Sequence, residues 1–144
     1  MFVSKEVMEI VNGPPWPDNP DGRRFARLRG LFDAFTEGDF ITIGEDPFGK
    51  DACAILARVD PVAYEVWDFR CLDPNPGIRA FGCFAETDTF VALTWNFREN
   101  LASSEEWNAE VRQCKDEWRK LVANLLPHAG ESLNEYVSYN FRAV

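Results

Sequence analysis

Residues 77–99 constrain the fold more than any other stretch, because their alternating pattern is that of a β-hairpin. They read GIRAFGCFAETDTFVALTWNFRE, with two nearly uncharged halves around a short acidic turn at residues 86–88. Side chains alternate between the two faces of a strand, so pairing Phe84 with Phe90 determines the other partners across the turn. That register predicts three further pairs: Cys83 with Val91, Phe81 with Leu93, and Arg79 with Trp95.

A third strand is predicted before the hairpin, at residues 62–72. This stretch, VAYEVWDFRCL, is rich in β-branched and aromatic residues, and the turn LDPNPG follows it. We expect one apolar face, covered by helices, that carries Trp67, Phe69, Cys71, Phe81 and Cys83. The opposite face is polar in its middle and charged at its rim, and carries Tyr64, Val66, Asp68, Arg70, Ala80, Gly82, Ala92, Thr94, Asn96 and Arg98. Such a face is either solvated, as is common in antiparallel sheets, or a shallow binding surface.

Helical spacing occurs on both sides of these strands in the sequence. Apolar residues at three- and four-residue steps predict a helix over residues 22–37, with Gly38 as its stop. Ser103 and Glu106 form a capping box that begins a second long helix, whose apolar stripe continues toward Pro127. Weaker patterns suggest a short helix at 4–11, a strand at 40–43, a loop at 45–51, and a short helix or strand in the tail.

Together these elements predict a single α+β domain over residues 1–144. The predicted architecture is an antiparallel sheet of three to five strands with helices packed on one face. Four prolines and two glycines at residues 12–22 exclude regular structure, so a loop is expected there.

The charge balance is strongly acidic and limits the choice of partners. With 24 acidic against 15 basic side chains, the net charge is −9 and the pI is about 4.6. Nucleic-acid binding normally depends on a basic surface, so RNA is disfavoured as a partner unless a local basic cluster binds it. The chain has no apolar run of membrane-spanning length and no evident signal peptide, which predicts a cytoplasmic protein without membrane association.

Metal and cofactor motifs are missing from the sequence. The four cysteines are far apart with no CxxC pair, and His128 is the only histidine. Phosphate-binding glycine loops, zinc-protease motifs and serine-hydrolase elbows do not occur either. We therefore expect no metal and no cofactor, and we interpret the cysteines as small buried side chains.

Two groups of arginines remain as candidates for chemistry. The first lies on the predicted helix at 22–37 and is interpreted as a solvated face paired with acids such as Asp33: Arg23, Arg24, Arg27 and Arg29. The second has one member on each of three successive strands: Arg70, Arg79 and Arg98. Guanidinium groups on a rigid sheet offer bidentate donors to an oxyanion or a transferring phosphate. Surface ion pairs would account for the same arginines, with Glu65, Asp68 and Glu86 as partners.

Three short motifs contain this second group: VWDFR at 66–70, GIR at 77–79, and FVALTWNFR at 90–98, with a helix after them. Over about residues 62–126 this pattern resembles the RelE/HigB-like toxin superfamily, most of all its phage-derived branch. The resemblance implies a RelE-like fold and a metal-independent mRNA endoribonuclease that a partner antitoxin neutralises. It also implies that Arg79 stabilises the phosphate, that Arg98 is the basic residue after the last strand, and that Arg70 completes the catalytic set.

Four further residues are predicted to contact the substrate: Asp68, Thr94, Asn96 and Tyr136. The alternation of side chains places Arg79 on the face opposite to Arg70 and Arg98. A bulge at Gly82 would bring the three arginines onto one face, and glycine is a common residue at bulges.

Departures from the family pattern leave other functions open. Val66 and Asp68 stand where the RelE branch has lysines, and this chain is acidic where those toxins are basic. An inactive relative fits these features as well as a nuclease does. The alternative is a non-catalytic, phage-related interaction module that binds a protein partner or forms a homodimer through an acidic, aromatic-rich surface. A third hypothesis is a small-molecule pocket beneath the loop that contains Trp16.

Overall fold

The computed structural model describes residues 1–49 and 51–144, which form one seven-stranded sheet and four α-helices. The strands are β1 (Phe2–Val3), β2 (Ile41–Gly44), β3 (Leu56–Arg58), β4 (Trp67–Cys71), β5 (Ile78–Glu86), β6 (Thr89–Phe97) and β7 (Phe141–Ala143). The helices are α1 (Lys5–Val11), α2 (Pro20–Glu37), α3 (Ser104–Leu121) and α4 (Leu133–Tyr136), with 3₁₀ turns at Val62–Tyr64 and Arg98–Leu101. The loop expected at 45–51 includes Lys50, which lies outside the described residues.

The prediction of three to five antiparallel strands is wrong, because the sheet is mixed and has the order β1-β6-β5-β4-β3-β2-β7. The four central strands, β3 to β6, pair antiparallel. At the edges, β1 lies parallel to β6, and β2 lies parallel to both β3 and β7. Helices cover both faces of the sheet and not one, so the predicted RelE-like architecture is not the one observed.

One face of the sheet, here called the front, packs against α1, α2 and α4. Helix α2 begins two residues earlier than predicted, at Pro20, where Asn19 Oδ1 accepts the Gly22 N–H at 2.8 Å. It ends at Gly38, whose φ of 75° lies in the left-handed region that glycine tolerates. Aromatic rings fill the space between these helices and the sheet: Phe32, Phe35, Trp67, Phe69, Phe84, Phe90 and Tyr136.

The other face, here called the back, packs against α3. The predicted capping box is confirmed: the Glu106 N–H donates to Ser103 Oγ at 3.1 Å, and Glu106 Oε2 accepts the Ser103 N–H at 2.9 Å. The apolar stripe of this helix lies on a second cluster of buried strand residues, which includes Phe81, Cys83, Val91 and Leu93. Neither face of the sheet is therefore simply solvated.

The hairpin of β5 and β6 has the predicted register near its turn and a shifted register beyond it. Two predicted pairs are confirmed: Phe84 with Phe90, and Cys83 with Val91. Two are wrong, because the observed pairs are Phe81 with Thr94 and Arg79 with Asn96. The difference is one extra residue on β6, Leu93, which forms a β-bulge beside Gly82.

This bulge decides which side chains share a face. Beyond it, Asn96 and Arg98 turn to the back of the sheet, where β4 and β5 also place Arg70 and Arg79. The bulge differs from the one expected in the strand of Gly82, because the extra residue lies on β6; Arg70 and Arg79 share a face through the regular pairing of β4 with β5, and the bulge brings Arg98 to them. The predicted apolar face is divided, since three of its residues lie on the front (Trp67, Phe69 and Cys71) and two on the back (Phe81 and Cys83).

Candidate anion-binding site

Three arginines meet at one end of the back face and are here called the arginine row: Arg70, Arg79 and Arg98. Arg70 and Arg79 lie directly opposite each other in β4 and β5. The Arg98 N–H donates to Gly77 O at 2.8 Å, so the strand pairing continues past β6 and brings the third arginine alongside. The structure thus brings together the three residues that the sequence predicted to be catalytic.

Arg79 is the centre of the row and is only 7% exposed. Its Nη1 donates to Asp68 Oδ2 at 3.1 Å, and Asp68 is 1% exposed. Burial lowers the pKa of Arg79, and the positive charges of Arg70 and Arg98 lower it further, whereas the charge of Asp68 opposes them. The Arg79 Nε is also buried and has no hydrogen-bond acceptor among the described residues. The row therefore has an excess of positive charge, and the Nε donor at its centre is buried without a partner among the described residues.

Backbone carbonyls orient the two outer arginines. Arg70 Nη1 donates to Asp51 O at 3.1 Å, and Arg98 Nη1 donates to Leu101 O at 2.6 Å. Neither side chain forms an ion pair with another described residue. A guanidinium has five N–H donors, so each outer arginine keeps most of its donors for a ligand.

A fourth arginine, Arg142, lies along the same side of the sheet and was missed from the sequence. It pairs with Thr42 of β2. Because Ile41 and Ile43 point to the front, Thr42 and Arg142 point to the back. The N–H of Cys53 is the main cause of the lowered pKa of Asp51, and the charge of Arg142 lowers this pKa further. Arg142 is therefore near the loop that holds Arg70. The three residues of β7 are too few for a strand to be recognised.

The polar neighbours of the row are engaged within the protein or deeply buried. Asn96 Nδ2 donates to Glu110 Oε2 at 3.0 Å, and Asn96 Oδ1 accepts from Asn100 Nδ2 at 3.0 Å. Thr94 is fully buried, and its hydroxyl oxygen has no partner among the described residues. Asp68, Thr94 and Asn96, which were predicted to contact the substrate, therefore lie beneath or beside the arginines and contact other protein groups. They are not exposed on the surface that a ligand would approach.

The fourth predicted substrate contact, Tyr136, lies on the front of the sheet, away from the row. Its ring centroid is 4.8 Å from that of Trp67, and the residue is 1% exposed. Its hydroxyl donates to Glu65 Oε2 at 2.7 Å and accepts the Gly130 N–H at 2.8 Å. Burial raises the pKa of Tyr136 to about 12, and the neighbouring Glu65 contributes to this rise. Tyr136 thus anchors α4 to the sheet.

The row is suited to binding an anion, but its surroundings offer little for proton transfer. In the part of the chain that the structure describes, the carboxylate hydrogen-bonded to the row is Asp68, which Arg79 already holds. His128 lies on the front, with its ring centroid 5.4 Å from that of Tyr136. Electrostatic binding of an oxyanion is therefore the chemistry that this arrangement favours.

The cysteines and carboxylates show no metal-binding arrangement in residues 1–49 and 51–144. No group of three or more histidine, cysteine or carboxylate side chains there could hold a metal ion. The interpretation of the cysteines as buried is confirmed for Cys71, Cys83 and Cys114, whereas Cys53 is exposed.

Three of the four arginines of α2 are paired with acids, as the sequence suggested, and Arg23 has no ion pair among the described residues. Four ion pairs are present among the described residues: Arg24 Nη1 with Glu99 Oε1 at 2.7 Å and with Asp21 Oδ1 at 3.6 Å, Arg27 Nη2 with Asp73 Oδ2 at 3.6 Å, and Arg29 Nε with Asp33 Oδ1 at 2.7 Å. This helix therefore lacks the concentration of unneutralised charge that distinguishes the arginine row.

Exposed apolar side chains border a groove of about 580 Å³ between β1 and the end of α3. Two of them are aliphatic, Leu121 and Leu125, and one is aromatic, Phe2. Trp16 packs on Gly13 beside α1, where its Nε1 donates to Ile10 O at 3.2 Å. An interaction module, a homodimer and a pocket beneath Trp16 stay predictions.

No family model matches this chain, and no curated protein and no solved structure is significantly similar to it. The resemblance to RelE/HigB-like toxins, the antitoxin partner and the nuclease activity therefore stay predictions. Among the described residues, no helix is both long enough and apolar enough to cross a membrane.

Proposed function

We propose that this protein binds a phosphate-bearing ligand at the arginine row. The observation that carries the proposal is the buried guanidinium of Arg79 between Arg70 and Arg98, in a chain whose net charge is −9. A buried guanidinium beside two like charges raises the free energy of the empty site. A bound anion reverses the sign of this interaction, so the same arrangement becomes favourable when phosphate is present.

The geometry favours phosphate over a carboxylate. A carboxylate is saturated by one bidentate guanidinium, whereas phosphate offers three or more oxygens that can accept from several directions. The row presents arginines from β4, from β5 and from the turn after β6. Asp68 holds Arg79 in place through one Nη1 hydrogen bond and leaves the flanking arginines unneutralised.

RNA is one phosphate-bearing ligand, and mRNA cleavage is the reaction that the family resemblance implies. Cleavage requires a group that accepts the proton of the ribose 2′-hydroxyl. Asp68 is 1% exposed and already accepts a hydrogen bond from Arg79, which makes it a poor proton acceptor for a bound ribose. We therefore propose binding as the function of the row, and treat cleavage as an outcome to be tested.

Titration calorimetry with inorganic phosphate tests the proposal. The informative variant is Arg98→Gln, because Arg98 is exposed and its loss removes one ligand donor without opening the core. We expect about tenfold weaker phosphate binding, equivalent to about 1.4 kcal/mol. The matched control is Arg119→Gln, which removes the same charge from an exposed position on α3, where Arg119 pairs with Asp116 at 3.2 Å.

Equal weakening in both variants would show that net charge and not the row governs binding, and the proposal would fail. It would also fail if the unaltered chain bound no phosphate. A single-stranded RNA oligonucleotide incubated with the chain separates the two roles. Cleavage that Arg79→Lys abolishes would establish a nuclease, whereas binding without cleavage would establish a ligand-binding protein.

A further inference from the structure

Arg142 lies on the same line across the sheet as the arginine row. In β7 it stands opposite Thr42 of β2. The Ile55 N–H donates to Thr42 O at 2.9 Å, and the Arg70 N–H donates to Ile55 O at 2.6 Å. Arg70 in turn lies opposite Arg79 in the pairing of β4 with β5. One continuous series of backbone pairings, perpendicular to the strands, therefore connects Arg142 to the row.

The four arginines face the same side of the sheet, the back, but they are spread over most of its width. Between Arg142 in β7 and Arg98 after β6 there are five spacings between neighbouring strands. At about 4.8 Å each, these spacings amount to roughly 24 Å. A single phosphate ion held among Arg70, Arg79 and Arg98 therefore does not extend to Arg142.

The positive charge along this line is incompletely neutralised. Arg142 is exposed, and like Arg70 and Arg98 it forms no ion pair with another described residue. The acid nearest to it on the line is Asp51, whose Oδ1 accepts the Cys53 N–H at 2.9 Å. Three arginines without ion pairs against this one carboxylate leave an elongated positive surface on a chain whose net charge is −9.

An elongated positive surface is complementary to a linear polyanion. Linear inorganic polyphosphate carries negative charge on every phosphate and is flexible enough to follow a row of guanidinium groups. Single-stranded nucleic acids also repeat phosphate groups, but the proteins that bind them without sequence preference stack the bases on aromatic side chains. The residues of this line include no aromatic ring: Arg142, Thr42, Ile55, Arg70, Arg79 and Asn96. The line therefore favours polyphosphate over a nucleic acid.

We propose that the back of the sheet binds linear inorganic polyphosphate along the arginine row and Arg142. The inference rests on the proposed phosphate site and extends it by a second subsite. One part of the polyphosphate contacts the arginine row, and the same chain crosses β3 and β2 to pair with Arg142. Because the second contact is intramolecular once the first has formed, it adds affinity only for a ligand long enough to reach it.

Titration calorimetry at physiological salt tests the inference with three probes: orthophosphate, pyrophosphate, and a linear polyphosphate long enough to span the line. The informative variant is Arg142→Gln. We expect it to weaken polyphosphate binding about tenfold and to leave orthophosphate and pyrophosphate binding unchanged. Arg119→Gln, the matched control, removes the same charge from an exposed position on α3 and should leave polyphosphate binding within about twofold of the unaltered chain.

An NMR titration of the ¹⁵N-labelled chain locates the second subsite independently of affinity. The amide signals of Thr42 and Arg142 should shift with polyphosphate and stay in place with orthophosphate. Equal weakening of polyphosphate binding in Arg142→Gln and Arg119→Gln would overturn the inference. So would tighter binding of a single-stranded oligonucleotide with the same number of phosphates.

The inference and the proposed function fail in different ways. Orthophosphate binding that depends on Arg98, together with polyphosphate binding that does not depend on Arg142, would overturn the second subsite alone. A chain that binds no orthophosphate would overturn the proposed function, and the second subsite with it.

Discussion

Leu93 links the core of this protein to its arginine row. As the extra residue of the bulge it sends Asn96 and Arg98 to the back of the sheet. In a regular ladder both would lie on the front, where aromatic residues and α2 would surround a charged side chain at high cost. The Leu93 side chain is 1% exposed in the cluster beneath α3, so core packing stabilises the bulge.

The sequence contained only half of this signal. A glycine within a strand often indicates a bulge, and Gly82 lies beside the one observed. The structure gives the reason for the glycine: a Cβ there would lie 2.1 Å from Val91 O and could not be accommodated. The inserted residue itself is a leucine in an apolar strand, and nothing in its local pattern distinguishes it from a regular strand position. The three arginines of the row could therefore be identified from the sequence. Their position on one face of the sheet could be predicted only if a bulge was assumed.

Gly30 and Gly82 make a matched pair for a stability measurement. We expect Gly30→Ala to raise the free energy of unfolding by about 0.5–1 kcal/mol, because the new methyl group meets no neighbour and alanine favours the helix. Gly82→Ala should lower it by about 1–3 kcal/mol, since the methyl group would clash with Val91 O and the Phe90 ring. Urea unfolding at pH 7 measures both, and changes of the same sign in the two variants would contradict the assigned environments.

Element length explains which strands and helices could be predicted. The strands β5 and β6 have nine residues each, and α3 has eighteen residues and a capping box. Elements of this length show a periodic pattern that can be recognised in the sequence. By contrast, β1, β3, β7 and α4 have two to four residues each. These short elements form because neighbouring strands and helices supply partners for them, which no local pattern encodes.

The contact between α4 and the sheet should make stability depend on pH in the alkaline range. The pKa of a tyrosine in an unfolded chain is about 10, whereas burial raises that of Tyr136 to about 12. Between these values the unfolded chain has lost the proton that the folded chain retains, so the free energy of unfolding falls as the pH rises. Below pH 10 the tyrosine is protonated in both states and has no such effect.

Urea unfolding between pH 8 and pH 11.5 measures this dependence in the unaltered chain and in Tyr136→Phe. Other alkaline groups titrate in both proteins, so the difference in slope isolates Tyr136. We expect the unaltered chain to lose stability more steeply above pH 10. Parallel curves would show that the hydroxyl of Tyr136 does not keep its proton in the folded state.

The width of the sheet depends on its first and last strands, which the central hairpin alone does not predict. The first strand extends the sheet beyond β6, and the last strand extends it beyond β2. Between them, Tyr136 packs on Trp67 and Phe84 from the front. The α+β class and the central strands were thus predictable, while the width of the sheet and its second helical layer were not, because they arise from contacts between distant residues.

Deletion of residues 128–144 should prevent folding, because it exposes Trp67 and Phe84 and removes the Arg58–Glu65–Tyr136 network. Deletion of residues 140–144 alone removes β7 and keeps α4, so we expect a folded but less stable chain. Near-ultraviolet circular dichroism and amide dispersion in NMR spectra distinguish these outcomes. A folded 1–127 fragment would show that the front core does not need α4.

The placement of β1 and β7 at opposite edges separates the ends of the chain by the whole width of the sheet. Six spacings between neighbouring strands lie between them, which at about 4.8 Å each amount to roughly 29 Å. A circular permutant of this chain therefore needs a joining peptide of at least about nine residues to bridge that span. Energy transfer between fluorescent dyes attached at positions 1 and 144 would report the distance across all seven strands. It would change with any rearrangement that widens or divides the sheet.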